Sequence, residues 1–167
     1  MDKRYLLIII IIFICVINLY MISDFSDIVG SASVDIGNYT ISLPEGFSLY
    51  ENNIDHILII NPNSHMRVKV YSVIRPDDTY LNKFEEINSS EQYTLLSNGT
   101  INSNGNIIHC VSFQNIKDSN NVSVFYYTKE NNNFQVYMSG FNYDLQKNET
   151  IEIVEKIVET TRINYKR

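Results

Sequence analysis

The sequence predicts an α+β domain, a mostly antiparallel sheet flanked by helices, carried behind one N-terminal transmembrane helix. Three observations predict it. Residues 5–22 carry no charge, the later stretches mostly alternate apolar and polar side chains between Asn- and Gly-rich turns, and only two of those stretches repeat apolar residues at helical spacing. With 167 residues, 44% hydrophobic and 19% charged, the chain suits one globular domain. Its 3 Pro, 6 Gly and 2 Cys exclude proline-rich, collagen-like and disulfide-scaffold classes. A formal charge of −6 argues against nucleic acid, because phosphate recognition needs a basic field.

The apolar stretch opens with Tyr5-Leu6-Leu7, continues through Ile8 to Ile12 and ends at Met21-Ile22. At ~1.5 Å rise per residue it spans roughly 27 Å, enough to cross the hydrocarbon of a bilayer. Tyr5 and Tyr20 flank it where amphipathic rings favour the headgroup level. Lys3 and Arg4 precede it, and no Lys or Arg occurs from Asp24 through Met66, so the positive-inside bias puts the N-terminus in the cytoplasm. The chain then divides into a cytoplasmic tail at 1–4, a signal anchor at 5–22, a tether at 23–37 and an extracytoplasmic domain at 38–167. A cleavable signal peptide competes with the anchor and would make the domain secreted. Such a leader has a shorter apolar run closely followed by small residues, whereas here the nearest small cluster is Gly30-Ser31-Ala32-Ser33. Cys15 lies behind bulky Phe13 and Ile14, which does not suit a lipid-attachment site.

Without Asp2, Lys3 and Arg4 the exported part holds 18 acids and 11 bases, a formal −7 that keeps it off anionic surfaces. Tyr39, Ile41 and Leu43 alternate with Thr40 and Ser42, and Pro44-Glu45-Gly46 places Pro and Gly for a type I turn. A short strand over 47–50 and an apolar strand over 56–60 follow. After the turn Asn61-Pro62-Asn63-Ser64, Met66, Val68 and Val70 face a core while Arg67 and Lys69 face water. Pro76-Asp77-Asp78-Thr79 opens a helix with an Asp cap, in which Leu81, Phe84 and Ile87 form the apolar stripe beside Tyr80. Four strands over 93–101, 107–113, 122–129 and 134–141 form a meander. Asn148 caps a last helix whose stripe is Ile151, Val154 and Val158, widened by Ile153 and Ile157. Ile107, Val111 and Phe113 on one side of a strand, and Ile108 and Cys110 on the other, require a sheet covered on both faces.

The opening GNYTISLPEGF, the helix after the third or fourth strand and the terminal helix IEIVEKIVETTRI resemble the PsbP-like α/β/α sandwich family over residues 37 to 164. Phe47 stands where relatives often place Trp. The resemblance implies a binding or assembly module of a larger complex rather than an enzyme, and it carries over no functional residue.

Little in the sequence points to chemistry. Cys110 adjoins His109, but neighbours on a strand face opposite sides and cannot pair. His56, His65 and His109 lack metal-ligand spacing. Asp77-Asp78 and Glu85-Glu86 read as a helix cap and a solvated helix face, and Asp118 to Asn121 as a hairpin turn rather than a calcium loop. No cofactor, metal or catalytic residue is expected. Five Asn-x-Ser/Thr sequons begin at Asn38, Asn88, Asn98, Asn121 and Asn148, with Asn98 and Asn121 the accessible N-glycosylation candidates. Of the 12 tyrosines, Tyr126, Tyr127, Tyr137 and Tyr143 fall close together, as a recognition surface or as ordinary strand packing.

The expected function is a non-enzymatic, membrane-anchored extracytoplasmic module that binds the membrane through residues 5–22 and a protein partner in the cell envelope. The alternatives are an exported small-ligand-binding protein with a pocket between sheet and helix, and an enzyme whose site forms only in three dimensions.

Overall fold

A computed structural model describes residues 32–72 and 74–164. The cytoplasmic tail, the anchor, the tether over 23–31 and the terminal Lys166 and Arg167 lie outside the described residues. The described chain runs β1 (Ser33–Ile36), β2 (Tyr39–Ser42), β3 (Ser48–Asn52), β4 (His56–Ile60), β5 (Arg67–Tyr71), α1 (Tyr80–Ser89), β6 (Tyr93–Ser103), β7 (Asn106–Asn115), β8 (Asn121–Lys129), β9 (Asn132–Ser139), α2 (Tyr143–Thr160) and β10 (Arg162–Ile163). Among the described residues no helix is long and apolar enough to cross a membrane.

Seven strands form one sheet in the order β3-β4-β5-β9-β8-β7-β6, with every neighbouring pair antiparallel. The period of two sorts its side chains between two cores. On one face Val111, Phe113, Val122, Val124 and Tyr126 meet Ile87, Phe84 and Tyr80 of α1. On the other, Ile57, Val68, Val70, Ile108, Phe125 and Met138 join one larger core with Ile153, Val154, Ile157 and Val158 of α2. That core also takes in Val34, Ile36 and Ile41 of a small sheet ordered β1-β2-β10. The α+β architecture with a covered sheet is therefore as expected.

The hairpins β6–β7 and β8–β9 each turn through two residues with positive φ, Asn104 and Gly105 in one, Glu130 and Asn131 in the other. That pairing matches the right-handed twist of the strands. Gly140 has φ +77°, and a Cβ there would lie 2.7 Å from the His65 carbonyl oxygen, so the entry to α2 depends on glycine.

Several local expectations change. Ser33 to Ile36, assigned to the tether, pair with β2 because Val34 and Ile36 have a core to enter that no local pattern displays. The Pro44 turn closes one residue later, with Phe47 N–H on the Pro44 carbonyl and Gly46 at φ +77° in the third position, which is type II rather than type I geometry. Thr79, not an Asp, caps α1 and accepts from the Asn82 N–H at 3.3 Å. Leu81 is 64% exposed, so Tyr80, Phe84 and Ile87 make the stripe instead. Helix α2 starts six residues before Asn148, at the cap Asn142, whose side chain accepts from the Asp144 and Leu145 N–H groups while Gln146 accepts from its own N–H. A reciprocal cap of this kind satisfies three backbone donors at the helix start, which Asn148 inside a helix could not do.

Candidate functional site

Helix α1 covers only part of its face of the sheet. Register aligns His56, Tyr71, Gln135, Tyr126, His109 and Thr100 in one row across β4, β5, β9, β8, β7 and β6. The first turn of α1 lands on this row. Tyr80 stacks on His109, with ring centroids 5.0 Å apart and 26° between planes. The His109 Nδ1 lies 3.2 Å from the Thr100 hydroxyl.

Asp78, at the foot of α1, enters the same row. Its carboxylate accepts from the Tyr126 hydroxyl at 3.1 Å and from the Gln135 amide at 3.2 Å, and that amide also donates to the Tyr126 oxygen at 2.9 Å. Arg75-Pro76-Asp77-Asp78 supplies the necessary bend, closing as a turn with the Asp78 N–H on the Arg75 carbonyl. Burial pushes the Tyr126 hydroxyl well above its usual range, the Gln135 donor pulls it back, and the Asp78 charge raises it further. At neutral pH this phenol is a fixed donor.

Between this cluster and the β6–β7 turn runs a groove of about 570 Å3, bounded by Arg75 and Tyr80 on one side and by Asn106 and Ile107 on the other, with Tyr126 and Asn133 between. Its size falls within the range of ligand sites. A neighbouring depression of about 470 Å3 shares Arg75 and Asp78 and extends to Tyr71 and Lys83. Beneath α2, on the opposite face, a smaller cavity of about 160 Å3 lies against Cys110, Ser112 and Ser123. The two serine hydroxyls bond each other at 2.7 Å.

The groove opens at one end of the sheet, and Ala32 lies at the other. The Leu43 N–H bonds the Ala32 carbonyl, a Cβ on Gly46 would lie 3.2 Å from the Asn61 side chain, and one on Gly140 would meet His65. Register puts these at the same end of the sheet as Asn115 of β7, the end away from Ile107 and roughly 25 Å from it along the strand direction.

The residues singled out in the sequence scatter. His109 is exposed on the α1 side of β7 and Cys110 is buried on the other side, as alternation requires, and burial pushes the thiol up to about 11. His56 sits in the same row as His109 but four strands away, roughly 19 Å, and His65 lies in a turn at the other end. Instead, His56 contacts Asp55 at 2.9 Å and Asn53 at 3.0 Å, and its hydrogen bond holds the Asp55 carboxyl below the usual range. Among the described residues no cluster of His, Cys, Asp and Glu suits a metal. Glu86 pairs with Lys83 at 2.6 Å on the solvated side of α1. Of the sequon candidates, Asn98 is exposed on β6. Asn121 is half-buried, donating to the Phe141 carbonyl and accepting from Gln114. The tyrosines divide between the faces, Tyr126 and Tyr137 toward α1, Tyr127 and Tyr143 toward α2. Arg75, Asn133 and Gln135 carry no local signature, because the pairing of β5 with β9 and the loop after β5 bring them to the same face.

No protein-family model matches the chain, and no curated protein matches it by sequence. Among solved structures it is similar to the Ran-binding protein Mog1p of Saccharomyces cerevisiae, at 12% identity and TM-score 0.50, over 79% of this chain and 94% of Mog1p. It is also similar to LpqN of Mycobacterium tuberculosis, described as involved in cell envelope biogenesis, at 14% identity and TM-score 0.47, over 80% of this chain and 90% of LpqN. Cyanobacterial PsbP from Synechocystis matches at 12% identity and TM-score 0.46, over 76% of this chain and 87% of PsbP. The likeness to Mog1p is one of fold: a sheet flanked by helices.

Proposed function

We propose that the chain is a single-pass membrane protein, N-terminus in the cytoplasm, whose extracytoplasmic domain is a non-enzymatic binding module of the cell envelope that uses the groove beside α1. The observation that carries this reading is the position of the groove, at the end of the sheet opposite Ala32. A domain tethered through residues 23–31 to an anchor at 5–22 then presents its groove away from the lipid. Tyr80, His109 and Ile107, 58% exposed, give that groove the mix of rigid rings and apolar area that recognition surfaces favour. Distant membership of the PsbP-like family belongs to the same proposal, on the strength of the GNYTISLPEGF opening and the order of elements.

Protease treatment of intact cells tests the topology: the domain is digested and a membrane-embedded stub remains. Recovery of intact, protected chain from the cytosol overturns the proposal. Photo-crosslinkers at Ile107 and, as the control, at Leu145 on α2 test the surface. A discrete adduct at Ile107 alone is expected, and equal adducts at both positions defeat the groove as the binding surface.

A further inference from the structure

The α2 face of the sheet carries mostly large apolar side chains, Ile57, Val70, Phe125 and Val136 among them, but not where β6, β7 and β8 pass beneath the first half of α2. Register sets Gly99 opposite Cys110 and Ser112 opposite Ser123 there, and alternation places all four positions on that face. These small residues leave the hollow of about 160 Å3, walled by Ile101, Phe125, Phe141 and Ile151. A Cβ on Gly99 would meet no atom within 4 Å, so this glycine opens space rather than relieving a clash.

The polar groups around the hollow are unequal. The buried Ser112 and Ser123 hydroxyls bond each other at 2.7 Å, the Cys110 Sγ stands 3.6 Å from Ser112, and Thr150 donates to the Gln146 carbonyl. The Tyr143 hydroxyl, by contrast, is buried with no hydrogen-bond partner among the described residues. Lys147 follows one turn later on the same side of α2, its Nζ 5.8 Å from the centre of the Tyr143 ring, and makes no ion pair among the described residues. Its field reaches the floor: burial raises the Cys110 thiol, and Ser112 and the Lys147 ammonium draw it back. Among the described residues no Asp or Glu lines the hollow. A ligand that uses these groups turns an apolar body to the walls and an anionic acceptor to the phenol and the ammonium. A cavity of about 150 Å3 takes a benzene ring, which sets the size of that body. A cationic ligand meets Lys147, and inorganic phosphate leaves the apolar walls unused.

We propose that the hollow beneath α2 binds a small monocarboxylate, its apolar part no larger than a phenyl ring against Gly99, Phe125 and Phe141, and its carboxylate on the Tyr143 hydroxyl and Lys147. The site lies on the opposite face of the sheet from the groove beside α1, so crosslinking at Ile107 and ligand binding here succeed or fail separately.

The test uses the full chain in phosphatidylcholine nanodiscs, with empty nanodiscs as the blank and para-fluorobenzoate as the probe in fluorine NMR. Saturable line broadening at millimolar concentration, reversed by unlabelled benzoate, is expected. The matching para-fluorobenzamide binds about tenfold more weakly, for want of a charge-assisted contact, and para-fluorobenzylammonium is silent. Gly99→Ile fills the hollow from a backbone position that suits any residue, and abolishes the broadening. Lys147→Gln weakens the carboxylate about tenfold and leaves the amide unchanged. Tyr143→Phe weakens it about fivefold without lowering stability, since the hydroxyl it removes has no partner to lose. Arg75→Gln, in the groove beside α1, changes nothing. Circular dichroism of each variant confirms the fold. Absence of saturable broadening overturns the inference, as does broadening that survives both Gly99→Ile and Lys147→Gln. An amide or an ammonium that binds as well as the carboxylate overturns it too.

Discussion

The Tyr126 hydroxyl, on β8, donates to the carboxylate of Asp78, 48 residues earlier in the chain, at 3.1 Å. Gln135 bridges the two. This contact ties the start of α1 to the middle of the sheet and so defines one wall of the groove. Tyr126→Phe removes the donor to Asp78 and the acceptor for Gln135, and is expected to cost about 1–2 kcal/mol in urea unfolding. In a double-mutant cycle with Asp78→Ala the two losses fall short of additivity by at least about 0.5 kcal/mol. Full additivity would mean that the groups do not interact.

Helix α1 starts at Thr79, which makes its two preceding acids unequal to the cap. Thr79→Ala is expected to lower stability by about 1 kcal/mol, because the Asn82 N–H loses its acceptor. Asp77→Ala, at an exposed position, changes it by less than about 0.5 kcal/mol. Thermal unfolding of the two variants side by side checks the assignment.

At the other helix, Gly140→Ala forces a Cβ into the His65 carbonyl at a positive φ. A loss of about 1–3 kcal/mol is expected from the backbone conformation alone. Chemical denaturation measures it, and a neutral result would show that the β9–α2 turn adopts a different path.

The far end of α2 is latched to β8. Tyr127 donates its hydroxyl to Thr161 at 2.9 Å, and Thr161 passes its own to the Ile157 carbonyl at 2.7 Å. Thr161→Val strands a buried phenol and is expected to cost about 1–3 kcal/mol, more than Tyr127→Phe, which removes the donor along with the need for it. The order of the two midpoints in urea is the readout.

Cys110 gives the pH dependence. Its thiol is raised from 9.0 to about 11 in the folded state, so the folded protein holds a proton that the unfolded chain releases. Its contribution is intact below about pH 9 and is lost progressively between about 9 and 11, up to about 2–3 kcal/mol. Cys110→Ala flattens stability across that window. The same burial makes the thiol unreactive toward iodoacetamide at neutral pH until the protein is unfolded.

Much of the fold was legible in the sequence because strands and helices advertise themselves locally. Met66, Val68 and Val70 alternate with Arg67 and Lys69, and the first three are fully buried, as a period of two demands. The errors fall where a local signal had a nonlocal competitor. Leu81 fits a helical stripe as well as Phe84 does, yet α1 is rotated to set Tyr80 and Phe84 on the sheet. The groove was illegible for the same reason: Arg75 and Asn133 are 58 positions apart and come to one groove only through the pairing of β5 with β9.

The amino-acid order by itself determined the α+β class, the covered sheet, most strand positions and the expectation of an apolar anchor, since each follows from periodicity or composition within a short window. Register, the rotation of α1, the true start of α2 and the groove beside α1 were decided by tertiary structure. Those features depend on which strand lies beside which, and a one-residue slip would turn every groove side chain to the opposite face.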